Sequence, residues 1–434
     1  MNKLFSLVFI LLAFPFLTYA QETRSLTLEE AVSLGLQASK TLRSDQARIE
    51  AATADYVAAR NRLYPDFKLS GTGMALTNAT VHMKMGGDQA EGGNTPKVNS
   101  ALLANASVSY PLYTGGKTGY AVESARYLEQ ASRLSMENNK TAVAYTIAAA
   151  YNNLFKAGQA LIVLTENLKA AQQRDRQFLD FENNAILARN DRLKASLQTS
   201  NIELQLLDAQ NSFEIATIHI NLLLGLPENT RLTLDSAYIT ATREQLPATD
   251  YFLNQALENR KDLQALNFNR KAVQTNIRSA RAEALPTVVL TGGYIAAEIP
   301  NLVSVINAAN IGLGIQYNLD NLWKKNSRLM QTQAKEKQLA NENDLLNDQI
   351  RLDINRDYLT AQTARKRTEV LQNMVDQADE NYRITHNKYN NGLATMTELL
   401  DADAARIAAQ ISVLNARADA ALAYKKLLQT TGIF

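Results

Sequence analysis

The sequence predicts a mainly α chain with β: a tandem repeat of long antiparallel coiled helices, with four strands per protomer of membrane-spanning length. Three observations carry this. The chain aligns with itself at two long registers, its proline-free stretches Tyr120–Leu224 and Ile315–Thr431 hold one glycine each, and between helices it alternates at period two.

The chain opens with Lys3, an apolar run from Leu4 to Leu17, and Thr18-Tyr19-Ala20, the pattern of a secretory signal peptide over residues 1–20. With no cysteine, an N-terminal lipid anchor, disulfides and thiolate metal sites are excluded. After residue 20 no apolar run approaches the ~18 residues a helix needs to cross a bilayer, so a membrane crossing must use strands. Formal charge is +2, with 45 basic and 43 acidic side chains intermixed, which argues against a nucleic-acid partner.

At an offset of 221, Leu36 matches Leu257, Lys40 matches Lys261, Ala59-Arg60 matches Ala280-Arg281, Pro65 matches Pro286 and Gly71 matches Gly292. From Tyr110 onward the offset is 207, pairing Tyr110 with Tyr317, Asn184 with Asn391, Asp191 with Glu398, Leu193 with Leu400 and Gly225 with Gly432. The first repeat therefore holds extra residues between Gly73 and Tyr110. Residues 21–226 read as one repeat and 251–434 as the other, joined by a linker over 227–250 that contains the strand-like Arg231-Leu232-Thr233-Leu234.

Each repeat begins with a leading helix, about Thr27 to Tyr64 and about Tyr251 to Leu285, the first opened by a capping box of Thr27 and Glu30. Two alternating stretches follow. Phe67, Leu69, Gly71 and Gly73 alternate with polar residues, as do Leu102 to Tyr110 and Val288 to Tyr294, while Ile311, Leu313, Ile315, Tyr317 and Leu319 alternate most clearly. About 9 to 11 residues of tilted strand cross an outer membrane, apolar side toward lipid. Four strands cannot close a barrel and a bilayer permits no open edge, so several protomers must share one barrel.

The long helices come next. In the second repeat roughly 65 residues precede the turn, or roughly 100 Å at 1.5 Å per residue, and the returning helix is about half as long. Heptad spacing at Ile147, Leu154, Leu161 and Leu168, and at Leu400, Ile407, Leu414 and Ala421, marks packed coiled seams. The turns fall at Asn183-Asn184-Ala185 and Asn390-Asn391-Gly392, and Thr395 with Glu398 forms a second capping box. The two half-length helices of a repeat match the long one, so they are expected to stack end to end beside it.

This plan, with Leu63-Tyr64-Pro65 and Leu285-Pro286 before strands and the tip Tyr389-Asn390-Asn391-Gly392-Leu393-Ala394-Thr395-Met396-Thr397-Glu398-Leu399-Leu400-Asp401-Ala402, resembles the TolC-like outer membrane efflux proteins over nearly the whole mature sequence. The resemblance implies a homotrimer with a 12-stranded barrel per trimer in outer-membrane lipid, a periplasmic tunnel of helices, and a passive duct served by an inner-membrane pump and a periplasmic adaptor (membrane fusion protein). It also implies that Glu398 and Asp401 ring the entrance, that Asp191 and Tyr389 belong to its latch, and that the tips at Asn184, Ala185, Ile186, Asn391, Gly392 and Leu393 meet the adaptor. Two departures stand out: Ala394 lies where the family's latch arginine is expected, and Ala185 where glycine is usual.

His82, Met83 and Met85 have soft-metal donor chemistry, but among Gly86, Gly87, Gly92 and Gly93 they read first as a loop. No phosphate-cradling loop, nucleophile elbow or zinc spacing appears, so neither enzyme activity nor a cofactor is expected. The alternative, a soluble periplasmic coiled-coil adaptor or scaffold, would carry one helical hairpin in a split β-domain, whereas two hairpins are read here.

Overall fold

The computed structural model describes residues 23–80, 97–235, 239, 246–300 and 302–434. The signal peptide and the His82, Met83 and Met85 loop lie outside these residues.

In chain order the elements are β1 (Thr23–Leu26), α1 (Leu28–Ala38), α2 (Lys40–Asn61), β2 (Asp66–Thr80), β3 (Lys97–Tyr113), α3 (Lys117–Asn183), α4 (Arg189–Leu224), β4 (Arg231–Leu234), α5 (Thr249–Asn259), α6 (Lys261–Ala282), β5 (Thr287–Ile299), β6 (Val303–Gln316), a 3-10 turn (Leu319–Leu322), α7 (Ser327–Asn390) and α8 (Met396–Thr430). The long helices α3 and α7 have 67 and 64 residues, and the returning helices α4 and α8 have 36 and 35.

Each expected leading helix is in fact two. The first breaks at Ser39 and the second at Arg260, positions 221 apart, where ψ turns to 117° and 120°. Neither break involves glycine or proline. Ser39 Oγ instead accepts the Leu42 N–H at 3.3 Å, so a serine that ends one helix caps the next.

The chain forms two compact units, residues 1–42, 139–260 and 350–434 in one, and 43–138 and 261–349 in the other. In the first, Leu26, Leu28 and Ala31 pack with Ile147, Tyr151 and Leu154 of α3, Ile220 and Leu224 of α4, and Leu232 of β4. The predicted seam is buried at Ile147 and Leu154 and half-buried at Leu161 and Leu168. β1, which sequence patterning missed, pairs in parallel with β4. Tyr151 closes this corner, its buried hydroxyl sitting 2.8 Å from the Leu26 carbonyl and 3.0 Å from that of Asp235. Burial pushes the Tyr151 phenol up to about 12.

The ends of the returning helices meet the leading helices in matching ways. Gly225 ends α4 at φ 70°, and Gly432 follows α8 at φ 75°. A β-carbon on Gly225 would stand 2.9 Å from Ala38 Cβ, and one on Gly432 would stand 3.2 Å from the backbone of Asn259 and Arg260. The expected stacking joint is thus built twice, at positions 207 apart on one side and about 221 apart on the other.

The second unit holds one antiparallel sheet in the order β2-β3-β5-β6, which leaves β2 and β6 as edges among the described residues. Its registers align the predicted apolar stretches. Phe67 faces Val108, Val108 faces Gly292 and Gly292 faces Ile311, while Tyr110 faces Leu290 and Leu290 faces Leu313. Because directly opposed residues share a face, one side carries Phe67, Leu69, Val108, Leu290, Ile311, Leu313 and Ile315. The other carries Lys68, Ser70, Asn105, Ser107, Thr291, Asn310, Gly312 and Gln316. Leu69, Ile311 and Ile315 are 85%, 81% and 75% exposed, so the apolar face has no cover among the described residues.

The strands run 13 to 17 residues, longer than the crossing minimum. The alternation expected to run through Tyr317 and Leu319 is cut short. The strand ends at Gln316, and Leu319 begins a 3-10 turn in which Lys324 pairs with Asp320. Nearer its start, one extra residue bulges at Asn307 (φ 60°), whose N–H donates to the Tyr294 hydroxyl at 3.0 Å. The bulge switches parity, placing Ile306 on the face of Ile311 and leaving it 70% exposed.

Candidate channel entrance at the hairpin tips

Both tips close by the same device. At the first, Ala185 N–H donates to the Glu182 carbonyl and Ile186 N–H to that of Phe181; at the second, Gly392 N–H donates to Tyr389 and Leu393 N–H to Lys388. This nested pair of bonds ends a helix when the residue after its cap adopts the left-handed state, as Ala185 (φ 56°) and Gly392 (φ 70°) do. Each turn exposes its next side chain, Ile186 at 72% and Leu393 at 76%. Asn184, Ala185, Asn391 and Gly392 are exposed too.

Behind the turns, all four long helices contribute to one apolar cluster. Phe178 of α3, Ala195 of α4 and Met396 of α8 are buried, with Phe181, Leu187, Leu400 and Tyr389 packed around them. The Phe178 and Tyr389 rings meet edge-on at 6.1 Å. The cluster was not anticipated from sequence; its trace there is the pair Phe178 and Phe181, one turn apart beside the tip.

Of the predicted polar residues, Tyr389 belongs to this cluster, and the others lie on the helix turns next to it in sequence. Glu398 and Asp401 are exposed on the first turns of α8. Glu398 completes the capping box: its Oε2 accepts the Thr395 N–H at 2.7 Å and the Thr395 hydroxyl at 3.0 Å, while its own N–H donates to Thr395 Oγ1 at 3.3 Å. These bonds, with the charge of Lys388, hold its carboxyl below the ordinary value. Asp191, on the first turn of α4, pairs with Lys194 at 3.1 Å. Burial raises the Tyr389 phenol, and the negative charge of Asp191 raises it further. The structure therefore brings Asp191 and Tyr389 into electrostatic contact, with the partner of the acid supplied by Lys194 of its own helix.

Among the described residues no cluster of three or more metal-ligating side chains is present, and no helix is long and apolar enough to cross a membrane.

Comparison with known proteins agrees with this geometry. The family model "Outer membrane efflux protein" matches residues 31–226 and 252–433. The pyoverdine export outer membrane protein OpmQ of Pseudomonas putida is 25% identical over 268 residues, covering 61% of this chain and 55% of OpmQ, so the match spans about half the length of that relative. The outer membrane protein VceC of Vibrio cholerae superposes with a TM-score of 0.76 at 18% identity, over 93% of this chain and 96% of VceC. A membrane protein from Pseudomonas aeruginosa gives 0.79 at 16% identity, over 93% and 90%. A duplicated helix-and-strand chain with an uncovered apolar sheet face, matched in both halves by one family model, belongs to the outer membrane efflux protein family and is a protein of the outer membrane.

Proposed function

We propose that this chain is the outer-membrane duct of an export system, a passive channel without catalysis of its own. The observation that carries the proposal is the four-stranded sheet with one continuous apolar face and two open edges. In hydrocarbon every backbone polar group must be bonded, so β2 of one copy has to pair with β6 of the next until the sheet closes. Three copies would close twelve strands. The same face disfavours a soluble adaptor, which has no use for Leu69, Ile311 and Ile315 in water.

In this reading residues 21–226 and 251–434 are the two repeats around the 227–250 linker. The exposed Ile186 and Leu393 flank the turns that meet a periplasmic adaptor, which couples the duct to an inner-membrane pump. Glu398 and Asp401, three residues apart on one helix face, line the entrance. In a trimer they bring six carboxylates together, a ring that favours cations and can hold a divalent ion. OpmQ exports pyoverdine, and a cargo of that kind is consistent with this reading.

The test is reconstitution in planar bilayers. A detergent-resistant trimer should form cation-selective channels blocked by divalent ions, and replacing Glu398 and Asp401 with alanine should abolish the block. Recovery only as a soluble periplasmic monomer would sink the proposal. Channels whose block ignores both substitutions would remove these carboxylates from the entrance.

A further inference from the structure

One charged group lies buried among the long helices, two residues beyond the exposed Asp401. Asp403 of α8 is 1% exposed, with Arg174 of α3 at 2.6 Å from one carboxylate oxygen and Arg406 of α8 at 3.0 Å from the other. Arg406 also donates to Asn167 Oδ1 of α3 at 3.3 Å and lies over the Tyr382 ring of α7, 4.3 Å from its centre. One buried carboxylate thus joins α3 of the first hairpin to α7 and α8 of the second. Arg174 and Asp403 each stand eleven residues from the left-handed tip residue of their hairpin, about 14 Å from the end of α3 and about 10 Å from the start of α8 at 1.5 Å per residue.

The repeat supplies an internal control. At the 207 offset, Arg174 corresponds to Asn381, Asp403 to Ser196 and Arg406 to Thr199, so the second repeat's long helix and the first repeat's returning helix carry no charge at these places. The ion triad therefore belongs to one of the two repeat-related sets of positions and not to the other. Such a triad contributes little net stability against a well-packed apolar substitute, because desolvation offsets the attraction. What it does contribute is a fixed register, since sliding α8 along α3 would strand a buried charge.

We infer that Asp403 is a positioning residue for the channel entrance: clamped by Arg174 and Arg406, it fixes the first turns of α8, and with them Glu398 and Asp401, against the first hairpin. The closed state is then held inside the bundle, which accounts for a tip that has Ala394 in place of a latch arginine. The inference rests on the proposed duct, in which those two carboxylates line the opening.

The experiment uses full-length protein in planar bilayers, with Asp403→Asn and Arg406→Gln as near-isosteric variants. Asp403→Asn should raise single-channel conductance several-fold and weaken divalent block while both entrance carboxylates remain. Arg406→Gln, which leaves the Arg174 arm, should give a smaller change of the same sign and keeps the test open should Asp403→Asn fail to assemble. A lower melting temperature with unchanged conductance and block would overturn the inference, reducing the triad to a structural contact. Absence of any channel from the wild-type chain would instead refute the duct itself.

Discussion

Ala185 and Gly392, 207 residues apart, adopt the same left-handed backbone state at the turns of the two hairpins, at φ 56° and 70°. Glycine enters this region without penalty, whereas alanine meets its own carbonyl at a cost of roughly 1–2 kcal/mol. Ala185→Gly relieves that strain but loosens the unfolded chain, for a net gain of about 0.5–1 kcal/mol. The chemical-denaturation midpoint of the purified protein should rise accordingly.

Three glycines test whether backbone strain and crowding are separable. A β-carbon on Gly392 meets nothing within 4 Å, so Gly392→Ala should cost only the strain less the entropy removed from the unfolded chain, about 0.5–1 kcal/mol net. Gly225→Ala adds a 2.9 Å clash with Ala38, and overpacking costs a further ~1–3 kcal/mol. Gly432→Ala presses on the backbone of Arg260 and should resemble Gly225→Ala more than Gly392→Ala. Equal losses in thermal denaturation for all three would contradict the joint described above.

The Thr395 cap stabilises the start of α8, and Thr395→Ala should cost about 0.5–2 kcal/mol. Because the folded carboxyl of Glu398 lies below its unfolded value of 4.5, its contribution is complete above that pH and disappears as pH falls through the folded value. The protection factor of the Thr395 N–H, which Glu398 Oε2 accepts, should therefore fall on acidification below 4.5, and Glu398→Gln should remove that dependence.

Tyr151 gives the opposite sign. Its folded phenol is raised from 10.0 to about 12, so its stabilising effect is complete below pH 10 and lost as pH rises toward 12. Tyr151→Phe should destabilise the β1 and β4 corner by about 1–3 kcal/mol near neutrality. The same variant should lack the alkaline component of unfolding, which near-ultraviolet titration of the wild type will register.

What could be read from the sequence was whatever repeats or alternates. Leu313 and Leu290 each announce a face, and the registers join those faces. The turn positions follow from Asn184 and Asn391, and the cap at Thr395 from Glu398 three residues on. What stayed hidden depends on contacts between distant segments. Ser39 and Arg260 break helices without a breaker residue, beside the helix ends at Gly225 and Gly432, which lie far away in sequence. Thr23–Leu26 becomes a strand only because Arg231–Leu234 is there to pair with it. At the entrance, the capping role of Glu398 was legible while the Phe178 plug and the Asp403 clamp were not, since each assembles side chains from helices more than 200 residues apart.

The open edges of the sheet also decide how a damaged copy behaves in a cell that still makes intact ones. In a closed ring each chain supplies one edge to each neighbour, so a single chain that cannot pair interrupts the entire circle. Gly312→Pro, in the body of β6, disrupts the strand that supplies one edge of the proposed ring, and every assembly that admits such a chain is lost. If three chains are drawn at random from equal amounts of both kinds, about one assembly in eight escapes. Inheritance of the defect would therefore be dominant, although the altered gene product is simply weaker at a single strand.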